Sequence, residues 1–233
     1  MSLTGELIPQ TPMRKAVARR MSDSKREVPH FYASTEVEMD AVGAFIAEES
    51  DRVGRRITTT SALIHACVAA LRSNPRVNSI WTDEGLLQVQ QINVGVAIAL
   101  DDGLIAPALL EADQLDLAGT AAALDDLVER AHTGRLRASE LSDATFTLSN
   151  LGMFDVSVFS AIVTPPQVAI LATGRALARV VPDGSRPRVA TVLTPTLSVD
   201  HRALDGADAA RFLGVLKQTL ERPNRALDGP VDE

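Results

Sequence analysis

The stretch SVDHRALDG, residues 198–206, concentrates groups that can do acid–base chemistry. His201 follows a long apolar segment, and Asp205 and Gly206 complete the pattern HxxxDG. Imidazole gains and loses protons near neutral pH, so a histidine at a strand end can act as a general base. In this interpretation Gly206 lets the backbone turn tightly and Asp205 orients neighbouring groups. The short pattern alone fits a structural histidine equally well.

Ser149, in TLSNLG, is the second candidate. Turn chemistry alone favours a hydroxyl that caps a turn at a strand end. With His201 and Asp205 it would form the residue set of a serine hydrolase, but the chain lacks a GxSxG elbow around Ser149. An acid four residues after the histidine is also not the expected triad arrangement. The remaining histidines show no clear partner in the sequence: His30, His65 and His132.

Composition limits the classes of function that are open to the chain. Its 233 residues, 45% of them hydrophobic, suffice for one large domain or two small ones. The net charge of -7 argues against a nucleic-acid partner. The single cysteine, Cys67, excludes internal disulfides and cysteine-based metal clusters, and its helical spacing predicts a buried core residue. Because no apolar run approaches about 20 residues and no signal peptide is evident, we expect a soluble, cytoplasmic protein without a metal site.

Hydrophobic periodicity predicts helices and strands that interleave along the chain. The predicted helices are TPMRKAVARRMSDSKREVP ending before Pro29, residues 41–52, a helix from threonines 58–60 to Pro75, DLAGTAAALDDLVERAHTG with Gly134 as its cap, and GADAARFLGVLKQTLERP. The predicted strands are HFYASTEVEMD, one or two in LLQVQQINVGVAIALDDGLIAP with a turn at Asp102–Gly103, ATFTLSN, QVAILATGRA and RVATVLTPTLSVD, the last two separated by the turn PDGSRP.

This order predicts one α/β domain with a large mixed sheet over residues 13–222, because no linker or repeat interrupts it. Residues 1–12 are predicted as an N-terminal arm and residues 223–233 as a C-terminal tail. The first helix carries a basic cluster of Arg14, Lys15, Arg19, Arg20, Lys25 and Arg26. The cluster is either the solvated face of an amphipathic helix or a surface that meets a phosphate or carboxylate partner.

Six stretches, taken in order, resemble the catalytic domain of the dihydrolipoyl acyltransferase component of 2-oxo acid dehydrogenase complexes, of branched-chain or pyruvate type. They are MRKAVARRM, VPHFYAS, NPRVN, NVGVAIALDDGLIAP, FTLSNLGMFDVSVFSAIVTPPQVAILATG and LSVDHRALDGADAARFL. The resemblance implies a fold similar to chloramphenicol acetyltransferase, with helices flanking the sheet. It also implies a trimer with active sites between subunits.

The resemblance further implies acyl transfer from S-acyl-dihydrolipoyl to CoA. His201 matches the family's base and Ser149 its hydroxyl donor to the oxyanion, supplied by the facing subunit. Asp205 matches the family's acid, with Arg14 as a candidate ion-pair partner. No aspartate or arginine stands out as a clamp for a succinyl group, so an uncharged acyl group is expected. Branched-chain acyl is favoured over acetyl, because DVSVFSAIVTPP offers several small side chains.

The implied partners are two further copies of the chain and the decarboxylase and dihydrolipoyl dehydrogenase components of the complex. The lipoyl group would come from a domain absent from this chain, so an excised core or a stand-alone acyltransferase is expected. A tail with only Leu227 and Val231 as bulky anchors favours a trimer over a larger shell. A serine hydrolase and a non-catalytic trimeric scaffold remain alternatives, and no residue is indicated as a CoA contact.

Overall fold

The computed structural model describes residues 4–100 and 103–223, and it shows the predicted α/β fold with a large mixed sheet. The helices are α1 Pro12–Glu27, α2 Asp40–Val53, α3 Thr59–Ser73, α4 Leu117–His132, α5 Ala138–Ser142 and α6 Gly206–Glu221. The strands are β1 His30–Ser34, β2 Val37–Glu38, β3 Ser79–Thr82, β4 Gly85–Gln88, β5 Val94–Val96, β6 Ile98–Leu100, β7 Gly103–Ile105, β8 Ala108–Leu109, β9 Phe146–Asn150, β10 Ala169–Thr173, β11 Leu177–Asp183, β12 Arg186–Leu193 and β13 Thr196–Asp200.

Six strands form the central sheet in the order β1-β13-β10-β9-β5-β8. Strand β9 is parallel to β5 and β10, whereas the other neighbours are antiparallel. Helices α3 and α6 pack together and bury their apolar faces in the core, where Phe146 of β9 meets Phe212 of α6. Because β13 runs against β9 and β10, its carboxyl end lies at their amino ends.

The helix predictions hold within a residue or two at most ends. The hydroxyl of Thr58 caps α3 by accepting a hydrogen bond from Ser61 N, as the threonine run predicts. Gly134 follows α4 with a φ of 67°, the conformation that favours glycine after a helix. Cys67 is fully buried on α3, and burial raises the pKa of its thiol, so the core interpretation of this cysteine is confirmed.

Two predicted strands prove to be pairs of shorter strands. Residues 188–200 divide between β12 and β13, which belong to different sheets, since Pro195 lacks the N–H that a continuous ladder needs. Residues 31–39 divide opposite this point into β1 and β2, with Thr35 N donating to Pro195 O. Strand β11, which the sequence did not suggest, pairs with β12 across the predicted turn.

The apolar stretch over residues 86–107 also contains more strands than the predicted one or two. It covers most of β4 and all of β5, β6 and β7, and β8 follows it directly, because an apolar run alone cannot distinguish one long strand from several short ones. Of these, β5 and β8 join the central sheet, while β6 and β7 form a separate hairpin. Asp102, the first residue of the predicted Asp102–Gly103 turn, lies outside the described residues. Residues 1–3 of the predicted arm and the tail after Pro223 also lie outside them.

Candidate active site

His201 lies one residue past the end of β13, on an exposed turn that leads into α6. Its backbone N–H donates to Pro29 O at 2.9 Å, which ties the turn to the start of β1. The imidazole contacts the ring of Phe31 edge to face, with 5.1 Å between the centroids. The strand end therefore presents the imidazole at the surface, as the pattern HxxxDG predicts.

Asp200 stabilises the beginning of this turn. Its buried carboxylate accepts hydrogen bonds from Arg202 Nη2 at 2.6 Å, Nε at 2.9 Å and the backbone N at 3.0 Å. The guanidinium of Arg202 in turn lies 4.6 Å from the ring centroid of Trp81. Asp200 and Arg202 flank His201 within the stretch SVDHRALDG, but neither was predicted as a site residue.

Asp205 stabilises the end of the turn as the N-cap of α6. Its Oδ1 accepts from Ala207 N at 2.8 Å and Asp208 N at 2.9 Å, while Asp208 Oδ2 accepts from Asp205 N. The hydrogen bonds from the backbone N–H groups of Asp208 and Ala207 lower the pKa of the Asp205 carboxyl. The residue therefore orients the turn through the helix backbone.

Within one chain, two details of the predicted HxxxDG geometry are not observed. Asp205 makes no ion pair with Arg14 within the described chain, since its carboxylate is directed at the first turn of α6. Gly206 is the first residue of α6, and its φ is not positive, so a tight turn does not require it. A Cβ at this position would meet the ring of Phe31 at 3.5 Å, an ordinary contact.

Ser149 lies near the carboxyl end of β9, half-buried, and lines a cavity of about 500 Å³. Its hydroxyl has no hydrogen-bond partner among the residues that the structure describes, so the capped-turn interpretation finds no support there. The cavity lies between α1, the β6–β7 hairpin, α5 and the segment between β9 and β10. Its lining includes Met13, Val17, Arg20, Met21, Ala97, Leu104, Leu141, Thr147, Ala161, Ile162, Thr164 and Gln167.

Helix α5, which contributes Leu141 and Ser142 to the cavity, is anchored by a buried ion-pair network. The Glu140 carboxylate accepts hydrogen bonds from Arg130 Nη1 and Arg137 Nη2, each at 2.6 Å. Arg130, and to a smaller extent Arg137, lowers the pKa of Glu140 to about 2. The carboxylate thus stays ionised beneath the cavity wall.

Ser149 and His201 do not meet within one chain. Ser149 pairs in register with Ala172, Ala172 pairs with Thr196, and His201 lies five residues beyond Thr196. With strands about 4.8 Å apart and a rise of about 3.3 Å per residue, the Cα atoms of Ser149 and His201 are about 19 Å apart. This separation excludes a serine hydrolase triad built from Ser149, His201 and Asp205 of a single chain.

The basic cluster of α1 is exposed throughout. Three members are engaged: Arg20 Nη2 donates to Pro165 O at 2.8 Å, Lys25 Nζ to the Tyr32 hydroxyl at 2.6 Å, and Arg26 to Asp23. Arg20 and Lys25 therefore connect α1 to other parts of the chain, whereas the Arg26–Asp23 pair lies within the helix. No helix among the described residues is long and apolar enough to cross a bilayer, and the cytoplasmic location stays a prediction.

Comparison with solved structures first defines the class of fold. Chloramphenicol acetyltransferase superposes with a TM-score of 0.58 at 13% sequence identity, covering 87% of this chain and 94% of that one. Residues 3–227 match the family of 2-oxoacid dehydrogenases acyltransferase (catalytic domain), and the chain belongs to this family. The resemblance drawn from the six sequence stretches is thus confirmed.

Individual relatives agree with this assignment. The dihydrolipoyllysine-residue acetyltransferase component of the pyruvate dehydrogenase complex from Zymomonas mobilis is 37% identical over 214 residues, 91% of this chain and 49% of that protein. The chain therefore spans about half the length of this relative. The cubic core of a pyruvate dehydrogenase multienzyme complex superposes with a TM-score of 0.91 at 30% identity, covering 96% of this chain and 94% of that one.

Dihydrolipoamide acetyltransferase from Azotobacter vinelandii superposes equally well, with a TM-score of 0.91 at 31% identity and the same coverage of both chains. That structure belongs to a study of the roles of a serine, a histidine and an asparagine in its catalytic mechanism. The serine precedes the histidine by 52 positions, and the asparagine follows the histidine by 4.

Proposed function

We propose that this chain transfers an acyl group between the thiol of a dihydrolipoyl group and the thiol of CoA. The observation that carries the proposal is the spacing of three residues. Ser149 precedes His201 by 52 positions and Asp205 follows it by 4, the intervals that separate the catalytic serine, histidine and asparagine studied in the Azotobacter enzyme. His201 is then the general base and Ser149 the donor to the oxyanion.

The exposed imidazole of His201 and the unpartnered hydroxyl of Ser149 suit these roles. His201 takes the proton of the CoA thiol, and the thiolate attacks the carbonyl carbon of the acyl-dihydrolipoyl thioester. The carbonyl oxygen becomes an oxyanion that accepts a hydrogen bond from Ser149. Collapse of this tetrahedral species breaks the bond to the dihydrolipoyl sulfur, which takes the proton back from His201, and acyl-CoA is released.

A site of this kind needs more than one chain, because Ser149 and His201 of one chain are about 19 Å apart. We propose a homotrimer in which the His201 turn of one subunit faces the Ser149 cavity of the next. A cyclic arrangement closes such head-to-tail contacts and gives three identical sites. The cubic core among the related structures makes a larger assembly of trimers a further expectation.

The proposed role of Asp205 is to position the turn that carries His201. The Azotobacter enzyme has asparagine at the corresponding interval, and asparagine and aspartate are both good N-caps. An amide cannot replace a carboxylate that shuttles protons, but it can replace a carboxylate that caps a helix. Asp205 therefore acts through the backbone of α6 rather than on the substrate.

We propose acetyl as the acyl group. The curated relatives are named acetyltransferase components of pyruvate dehydrogenase complexes, so the expected preference for branched-chain acyl groups finds no support among them. Only some of the small side chains on which that preference rested line the cavity. Of the stretch 155–166, Ala161, Ile162, Thr164 and Pro166 line it, whereas Ser157 and Ser160 do not. The decarboxylase and dihydrolipoyl dehydrogenase of such a complex are the proposed partners.

The first test is transfer from acetyl-CoA and isobutyryl-CoA to free dihydrolipoamide, with wild type and His201→Ala in parallel. We expect acetyl-CoA to be preferred and the variant to lose about 10²- to 10⁴-fold in rate. His132→Ala, an exposed histidine on α4, is the matched control and should keep the wild-type rate. A His201→Ala protein that kept most of its rate would refute the base, and a wild type inactive with either thioester would favour a scaffold.

A further inference from the structure

The segment between β9 and β10 forms one wall of the Ser149 cavity. Residues 158–164 contain neither helix nor strand, and Ala161, Ile162 and Thr164 line the cavity. An irregular backbone has no ladder partners, so its position depends on hydrogen bonds to other parts of the chain. The groups that hold this segment therefore set the width of the cavity beside Ser149.

The peptide groups of Val163 are held from two sides. The N–H of Val163 donates to His30 Nε2 at 3.0 Å, and its carbonyl oxygen accepts from Ser24 Oγ at 2.5 Å. The Val163 side chain is fully buried against Val28 and Ile170, away from the main core. This arrangement connects the wall to both α1 and β1, and we call it the Val163 clamp.

His30 can serve in the clamp only as a neutral imidazole. Its Nδ1 lies 2.8 Å from Val28 O, and a carbonyl oxygen can only accept, so Nδ1 carries the proton. Nε2 is then free to accept from Val163 N–H. Ser24, the second member, is the buried residue of an otherwise exposed or half-buried α1. Nothing in the acyl-transfer steps requires either side chain.

We propose that His30 and Ser24 are positioning residues whose clamp on Val163 fixes the 161–164 wall and thereby restricts the site to short acyl chains. This inference rests on the proposed acyl transfer. A rigid wall excludes bulk at Ile162 and Thr164, since a longer acyl chain must displace a backbone held by one buried and one partly buried hydrogen bond. Release of either bond lets the wall move outward and weakens discrimination between acyl groups.

The test compares His30→Ala and Ser24→Ala with the wild-type assembly, using kcat/KM for acetyl-CoA and isobutyryl-CoA. We expect the preference for acetyl-CoA to fall by about fivefold or more, within the range that one or two methylenes contribute to selectivity. Hydrogen–deuterium exchange of a peptide spanning residues 158–168 should show faster exchange at Val163 in His30→Ala, by about tenfold. His132→Ala should alter neither quantity.

One further variant and the Ser24→Ala protein keep the test decisive. His30→Gln replaces Nε2 by an amide oxygen that can accept from Val163 N–H, and it should restore both selectivity and slow exchange toward wild type. Ser24→Ala removes only a hydroxyl, so it serves where His30→Ala fails to fold. An active protein whose variants keep the wild-type selectivity would overturn the inference alone. A wild type inactive with both thioesters would overturn the proposed function and this selectivity role together.

Discussion

Ser149 and His201 lie at opposite ends of one six-stranded sheet, on strands separated by β10. Ser149 lies near the carboxyl end of β9. His201 lies just past the carboxyl end of β13, which runs in the opposite direction. Under the proposed function, each chain contributes one half of an acyl-transfer site to each of two different sites in the assembly. This separation gives the shared-site proposal a quantitative test.

Mixed assemblies should regain activity that neither parent variant has. Co-expression of Ser149→Ala and His201→Ala chains gives trimers in which one interface joins an intact His201 to an intact Ser149. Mixed trimers isolated through tags on both chains should show about one third of wild-type activity, because each mixed trimer holds one intact site of three. The measurement is transfer to dihydrolipoamide after purification through different affinity tags on the two chains.

The control is each variant expressed alone, with expected losses of about 10²- to 10³-fold for Ser149→Ala and more for His201→Ala. Were both residues of one site supplied by the same chain, mixing would restore nothing. An inactive mixture of intact trimers would therefore contradict the shared site.

Asp205→Asn and Asp205→Ala should separate capping from charge. Asparagine still accepts hydrogen bonds from Ala207 N and Asp208 N, so transfer and thermal stability should stay near wild type. Alanine removes the cap, and we expect a loss of about 1 kcal/mol in stability and a drop in kcat of about tenfold to a hundredfold as the His201 turn shifts. Equal inactivity of both variants would instead assign a role to the Asp205 charge.

Glu140 should make stability depend on acid pH. The pKa of this carboxyl is lowered to about 2 in the folded chain, so its contribution is complete above the ordinary glutamate pKa of about 4.3 and is lost as the pH falls toward 2. Glu140→Gln should cost about 3 kcal/mol in urea unfolding at pH 7, because it leaves Arg130 without its buried partner. This difference should shrink at pH 3.

The matched control is Glu129→Gln, which removes an exposed pair with Arg135. Exposed pairs contribute about 1 kcal/mol at most, so its unfolding curve should barely move at either pH. A Glu140→Gln difference as large at pH 3 as at pH 7 would show that the carboxylate charge is not the source of the stability.

Gly174 and Gly214 should respond in opposite directions to alanine. A Cβ on Gly174 would lie 2.4 Å from the carbonyl oxygens of Val156 and Ser157, so the backbone must shift at a cost of about 3 kcal/mol. Gly214 lies inside α6 with open space beside it, and alanine there should stabilise by about 0.5 to 1 kcal/mol. Urea midpoints of the two variants check both signs, and a neutral Gly174→Ala would contradict the close approach.

Local signals were sufficient for much of the fold. Helix α3 begins at its threonine cap, and α1 ends before Pro29 as predicted, because caps and proline act on their immediate neighbours. The position of His201 after a strand also follows from local sequence. Sheet membership does not, since β12 and β13 differ only in long-range pairing, and an apolar run looks alike in both.

Long-range contacts in the site could not be predicted from local sequence either. The sequence indicated no partner for His30, because Val163, whose backbone N–H donates to His30 Nε2, is 133 positions away. Within one chain Asp205 does not pair with Arg14 for the opposite reason, since its carboxylate accepts hydrogen bonds from backbone N–H groups two and three positions on. The aspartate before α6, followed at the third position by Asp208, was an available capping signal that could have indicated this.

The cation–π contact between Arg202 and Trp81 gives this protein a built-in optical reporter. Trp81 is the only tryptophan of the chain, and the guanidinium over its ring belongs to the residue next to His201. Indole fluorescence responds to a nearby cation and to solvent, so emission from the unmodified protein reports on this one turn. Any event that moves this turn can thus be followed in real time without an added label.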